Sequence, residues 1–356
     1  MKTREDIKLV IDYFKSNPNE SISFDENEIE SAYIKEDNQP LAVKILSVFG
    51  SILANLAFFA FLVLTGIFDI EIMLFVFGVI GICLSIYISR LPGKFLYDTL
   101  SASVYLSGYV LIGIAINTTS LPDNIINFIF IFSSLTCIAL KPNYILTFIS
   151  ILLLNSSLLA LLFQNNLTDL LHLYVSILTF LNVYFFLKEA QIITYCKGFS
   201  KLYNPLRIGF LFSLLIGLFL LGVKGILSLS PNYIWLSSLV STVSIMYLVS
   251  KILRILNVTQ VKHKWFIYSI VLVLLIATAL SPAISGALLI TLLGHLVNYK
   301  TGFVIGIIAF IYFVGQYYYD LNFNLLTKSI LMFSAGILFL LFYVLTRKNL
   351  SGYEDL

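Results

Sequence analysis

Beyond residue 44 the chain is a succession of long apolar runs separated by short polar breaks. The runs fall at 45–66, 72–89, 97–116, 125–140, 144–163, 170–187, 208–227, 232–250, 265–280, 283–298, 302–318 and 328–346. A helix that crosses a bilayer needs about 20 consecutive apolar residues, with roughly 17 to 25 tolerated. Lipid offers the backbone no hydrogen-bond partner, so runs of this length predict helices. The runs 125–140 and 283–298 are short, and Ser281 and Pro282 interrupt the chain just before the second of them. That stretch reads either as two crossings or as one broken, re-entrant element. The expected fold is all-α, a polytopic transmembrane helix bundle of about 12 helices, or ten if the interrupted pair does not cross.

The first 40 residues carry a different pattern. Thr3 and Asp6 open a short helix in which Ile7, Val10, Ile11 and Phe14 share one face, and Asn17 and Pro18 stop it. Asp25, with Glu28 three residues on, opens a second, with Ile29, Ala32 and Tyr33 on one face before Asn38, Gln39 and Pro40. Two such helices bury too little apolar area to stand alone. The expected hairpin therefore packs on itself, on the membrane domain, or on a partner.

Composition agrees with a lipid solvent. Of 356 residues, 59% are hydrophobic and 12% charged, about half the charged fraction of a soluble domain. Residues 1–40 hold 15 of the 41 charged side chains, ten acidic and five basic. Such a head repels phosphate, so the formal charge of +3 does not imply a nucleic-acid partner. With every second connection taken together, the head and Lys44 included, 20 of the 22 Lys and Arg fall on one side, while Asp69, Glu71, Asp123, Asp169 and Asp320 fall on the other. The positive-inside rule then puts both termini in the cytoplasm. The expected organisation is an acidic cytoplasmic helical head (1–40), a transmembrane domain (41–348) and a short cytoplasmic tail (349–356). The basic connections 188–207 and 251–264 are placed to touch anionic headgroups of the bilayer.

Motifs of soluble enzymes are absent: no GxxxxGK[ST], HExxH or GxSxG occurs. Cys83, Cys137 and Cys196 are far apart, as are His172, His263 and His295, so neither a disulfide framework nor a metal site is indicated and no cofactor is implied. What remains are ionisable and polar residues at membrane depth, where they are costly and hence candidates for function. Asp98, with Thr99, Ser101 and Ser103 after it, reads as a proton or cation acceptor in a hydroxyl-lined cavity, or as the partner of Lys94 at the headgroup boundary. Asp169 and His172 read as a titrating pair or as ordinary helix capping. Ser285 lies in a small-residue cluster, Ser281 to Ala287, which with Gly302 and Gly306 fits close helix packing. Tyr317, Tyr318, Tyr319 and Asp320 precede Lys328, a cation at a helix start, where the helix dipole disfavours it. Lys328 needs an anionic partner, either Asp320 or a group on another molecule.

The run YYYDLNFNLLTKSILMFSAGILFLL at 317–341, with QPLAVKILSVFGSILANLAFFAFL at 39–62, resembles an uncharacterised bacterial family of polytopic membrane proteins, a domain of unknown function. The match rests on Tyr317, Tyr318, Tyr319, Leu321, Leu325, Leu326, Lys328 and Ser329. It departs where the family has aromatics after the proline and this chain has Leu41 and Ala42. The resemblance implies a multi-pass protein of the bacterial cytoplasmic (inner) membrane across about residues 40–348, without an established activity or cofactor. It also implies a neighbour in the genome, a small exported or membrane-anchored envelope protein with a Gly-Asp-Tyr signature. Three readings stand at this point: a non-enzymatic component that docks with such a partner through its Tyr317–Lys328 rim and its cytoplasmic head, a secondary transporter of a small solute or lipid-like molecule, and an intramembrane enzyme.

Overall fold

The computed structural model describes residues 41–91, 95–119, 122, 124–195, 200–223, 233–256, 258, 260–278, 281–320, 324, 326, 327, 329, 330, 333, 334, 336, 337, 340, 341, 343 and 344. The expected head and tail, and Lys94, Asp123, Lys224 and Lys328, lie outside them. The described elements are helices: α1 (Leu41–Leu64), α2 (Glu71–Ser89), α3 (Phe95–Asn117), α4 (Asn124–Ala139), α5 (Tyr144–Gln164), α6 (Leu170–Leu187), α7 (Glu189–Tyr195), α8 (Ser200–Gly222), α9 (Ile234–Ile255), α10 (Val261–Thr278), α11 (Pro282–Leu296) and α12 (Lys300–Asp320). Eleven coincide with apolar runs, and the twelfth run is helical where it is described. The extra α-helix is α7, directly after α6, and a single 3-10 turn, Ile67–Asp69, joins α1 to α2. Among the described residues eight helices are long and apolar enough to cross a membrane, while α4 and α11 are shorter.

Local chemistry explains the boundaries. Asn143 caps α5, its side-chain oxygen accepting the Leu146 N–H at 3.0 Å. Pro282 opens α11, where a missing N–H costs nothing. The Ser281–Pro282 interruption is thus the start of a new helix, 15 residues long, or about 22 Å at 1.5 Å per residue, against a hydrocarbon core of about 30 Å. It ends on Asn298, which takes the left-handed conformation (φ 54°), so the Tyr299 N–H reaches back to the Gly294 carbonyl at 2.8 Å. This tight closure turns the chain straight into α12.

The main core lies among α6, α8, α9 and α11. Val175 and Leu178 of α6, Leu214 and Leu218 of α8, Leu248 of α9, and Ala287 and Leu289 of α11 fill it, with Leu275 of α10 and Phe313 of α12 at its edge. Smaller cores join α2 to α5 around Tyr105 and Cys137, and α1 to α3 around Leu62 and Leu111. Ile151, Leu202 and Leu206 connect the two regions through α5 and α8. The many exposed apolar side chains, such as Leu53, Ile72, Phe132 and Phe180, suit a lipid surround and would not suit water.

Where helices approach closest they do so at glycine. A Cβ on Gly108 of α3 would lie 2.8 Å from the Gly78 carbonyl oxygen of α2, and backbone cannot swing aside. Gly306 of α12 meets Thr291 of α11 in the same way, 2.7 Å from its backbone nitrogen, so the small-residue packing expected around Gly302 and Gly306 is found. Gly108→Ala should destabilise the bundle by about 1–3 kcal/mol, read as an earlier thermal transition in detergent. Gly315→Ala, where an added Cβ meets nothing within 4 Å, should leave that transition unchanged or raise it slightly.

Candidate functional site

The most unusual side chain in the described bundle is Arg207, in the second turn of α8 and only 7% exposed. Tyr203 and Asn204 precede it by four and three residues, which puts all three on one helix face. Asn204 Oδ1 accepts from Arg207 Nη2 at 2.7 Å. Arg207 Nη1 stands 3.3 Å from Oε2 of Glu189, the first residue of α7. The guanidinium carbon lies 4.4 Å from the Tyr299 ring centre, 5.3 Å from that of Tyr203 and 5.4 Å from that of Phe186, all within cation–π range. Tyr203 is held in turn, its hydroxyl donating to the Phe185 carbonyl at 2.6 Å.

One charge thus ties the α6–α7 junction to α8 and to the α11–α12 turn that Asn298 closes. A guanidinium offers fixed, planar donors and no acceptor, so the group holds and orients what surrounds it. Counting basic residues by connection treats Arg207 as the end of a loop. The helix instead begins at Ser200, and the clue was the polar face formed with Tyr203 and Asn204. Tyr299, 92 positions away, carries no such clue.

A second polar feature runs along α6. His172, Ser176, Thr179 and Asn182 are all buried, and Ser237, Ser238 and Ser241 of α9 are buried as well. His172 Nδ1 meets Ser237 Oγ at 2.9 Å. Ser176 and Thr179 donate to carbonyls one turn earlier on their own helix. Asp169 occupies the N-cap position of α6 in helical conformation and makes no side-chain capping bond, so helix capping does not account for it.

The other expected residues separate. Asp98 is half-buried and accepts a hydrogen bond from the Asn143 amide, which also reaches Ser101 Oγ at 3.4 Å. Thr99 and Ser103 turn the other way, towards α1: the Ser51 and Thr99 hydroxyls meet at 3.1 Å, and Asn55 donates to Ser103. The three hydroxyls therefore line no common cavity around Asp98. At about 100° per residue, positions 99 and 103 share a face that 101 does not. Ser285 is 1% exposed, donates to the Pro282 carbonyl at 3.0 Å and sits in the main core. Tyr317 packs on the edge of that core, Tyr318 is half-buried, and Tyr319 is 81% exposed. Asp320 ends α12 and accepts from Gln316 at 3.2 Å.

Helix number, apolar length and lipid-suited surface together define a multi-pass α-helical membrane protein. The chain belongs to the DUF4401 family, a domain of unknown function, whose sequence profile matches residues 40–348. No curated protein and no solved structure matches it.

Because the cage acts through ring faces, Tyr299→Phe should keep near-native stability. Tyr299→Leu should lower it by about 1–2 kcal/mol, measured as thermal unfolding in one detergent. Glu189→Gln should cost less, on the order of 1 kcal/mol, because the Glu189 side chain is 40% exposed and its ion pair is screened.

Proposed function

We propose that this protein is a non-enzymatic component of the bacterial cytoplasmic membrane that works with a second envelope protein, a small one anchored by a single apolar helix. The docking surface is the end of α12 and the helical segment that follows it. The observation that carries this reading is a broad exposed face: each described residue from Leu326 to Val344 is exposed, Phe333 at 72% and Leu340 at 65% among them. At about 100° per residue these positions sweep more than half of a helix circumference. A face that wide and that apolar is suited to receive a partner helix, and Gly336, with nothing within 4 Å of an added Cβ, leaves room for close approach. Tyr319 extends this surface to the expected outer rim, where amphipathic rings are favoured.

Transport of a solute past Ser285 finds less support, because a Cβ on the adjacent Gly286 would lie 2.5 Å from Leu218, which leaves no room for a passage there. With both termini cytoplasmic, α7 and the Arg207 cage face the cytoplasm, and Asn165 and the end of α12 face outwards. The acidic head at 1–40 then serves as a second, cytoplasmic contact.

Two measurements test this reading. A photo-crosslinking residue at Phe333 or Tyr319 should yield a discrete adduct with a small membrane-anchored protein, while the same residue at Leu289 in the core should yield none. Lipid adducts alone at all three positions would refute docking. For orientation, a single cysteine at Asn165 should react with an impermeant maleimide in intact cells, and one at Gln191 only after permeabilisation; the reverse pattern would invert the topology.

A further inference from the structure

Along the first three turns of α1 the outer surface of the bundle carries an open groove of about 380 Å³, within the size range of small-molecule sites. Val43, Leu46 and Gly50 of α1 and Leu96 and Leu100 of α3 wall it. Gly50 makes the space, since a Cβ added there meets nothing within 4 Å. Ser47 and Ser51 border the groove as well, but their hydroxyls donate to the Val43 and Ser47 carbonyls, each at 2.8 Å. What the groove offers an occupant is therefore an apolar surface.

The groove also has a direction. Ser51 meets Thr99 and Asn55 meets Ser103, each pair 48 positions apart, so α1 and α3 run parallel and the groove follows them. From Val43 to Ser51 it extends about 12 Å at 1.5 Å per residue. Lys44, the one charged residue of α1, stands at its outer end, on the helix row that continues through Ser47 and Ser51. Because Lys44 directly precedes the apolar run 45–66, its long side chain brings the ammonium to headgroup level. Lys44 is half-buried and has no carboxylate partner among the described residues. The carboxylate of α3, Asp98, is engaged with Asn143 of α5. The groove thus leads from a positive end into hydrocarbon.

We propose that this groove is a binding site for an anionic phospholipid, with one acyl chain along Gly50 and the phosphate at Lys44. Basic residues beside clefts between transmembrane helices recognise such headgroups, and a single lipid supplies both halves of the match in the right order. Its negative charge meets the ammonium at the membrane surface, and its chain fills the apolar volume below. A second copy of the chain is a poorer occupant, because a two-fold contact of groove on groove turns Lys44 towards Lys44. The site is independent of partner docking at α12.

Bromine on an acyl chain quenches a tryptophan it touches, so a tryptophan at the groove reports which lipid occupies it. Trp235 and Trp265, the two tryptophans of the chain, are 60% and 70% exposed and can be replaced by Phe. In that background the full-length protein carries Leu46→Trp, at a position 72% exposed on the groove wall. It is placed in vesicles of phosphatidylglycerol and phosphatidylcholine in which one or the other is brominated. The relative binding constant should favour phosphatidylglycerol by about five-fold, the effect of one lysine near the surface. Phe132→Trp on α4, at a position 73% exposed, should show no preference. Lys44→Gln should abolish the preference at Leu46→Trp, and Gly50→Leu, which fills the groove, should lower it with the charge intact. Equal quenching by both lipids at Leu46→Trp, or a preference that either variant leaves unchanged, overturns the proposal. So does a tryptophan there that neither lipid quenches, because protein would then cover the groove.

Discussion

Inside hydrocarbon a hydroxyl or amide has no solvent to pair with, and this bundle answers that constraint mainly by turning polar side chains back onto their own helices. Ser51 donates to the Ser47 carbonyl, Ser150 to Leu146, Thr179 to Val175, Ser213 to Gly209 and Thr291 to Ala287, each one turn earlier and each at 2.8–2.9 Å. A serine satisfied in this way behaves towards its neighbours as a small residue. Helix faces that combine such serines with glycine can approach to backbone contact, as α2 and α3 do at Gly78 and Gly108. Dispersion and close fit, which replace hydrophobic driving force in lipid, depend on that approach.

The same constraint explains what was legible in the sequence. Helix positions followed from apolar length because backbone satisfaction forces helix wherever such a run enters lipid, and the break at Ser281–Pro282 marked a real helix start. Groupings across helices were harder to see. Thr99, Ser101 and Ser103 look like one polar patch in a linear chain, yet they face α1 and α5 separately. Arg207 looks like a loop charge because apolar content begins only at the next residue. Tyr203 comes from its own helix, but the counter-ion of Arg207 and its other two rings come from α6, α7 and the α11–α12 turn, and tertiary packing brings those to it.

Arg207 also shows how the fold tolerates an expensive group. A buried cation is costly unless paired and hydrogen-bonded, and here Glu189, Asn204 and three aromatic faces share that task. The ring faces supply negative potential without themselves needing partners, so they can be packed as core. Tyr299 does both, since Phe186 meets its ring edge-on with centres 6.1 Å apart. Electrostatics and packing are one contact at this point, and the placement of three helical segments follows from it.

Buried polarity by itself does not mark function, and the bundle contains the comparison that shows why. Around Tyr105 and Tyr109 the hydroxyls meet each other at 3.0 Å and Ser150, Ser133 and Ser134 at 2.9, 2.8 and 3.2 Å. That network is closed, and its chemistry is spent on joining α3, α4 and α5. The α6 seam is built from similar residue types, yet His172, Asn182, Ser241 and Arg207 each keep an atom of unused capacity. A seam meant only for packing would have been closed more cheaply by apolar side chains of the same volume. Unused capacity in buried donors and acceptors, spread over α6, α8 and α9, is what distinguishes this seam from the closed tyrosine network.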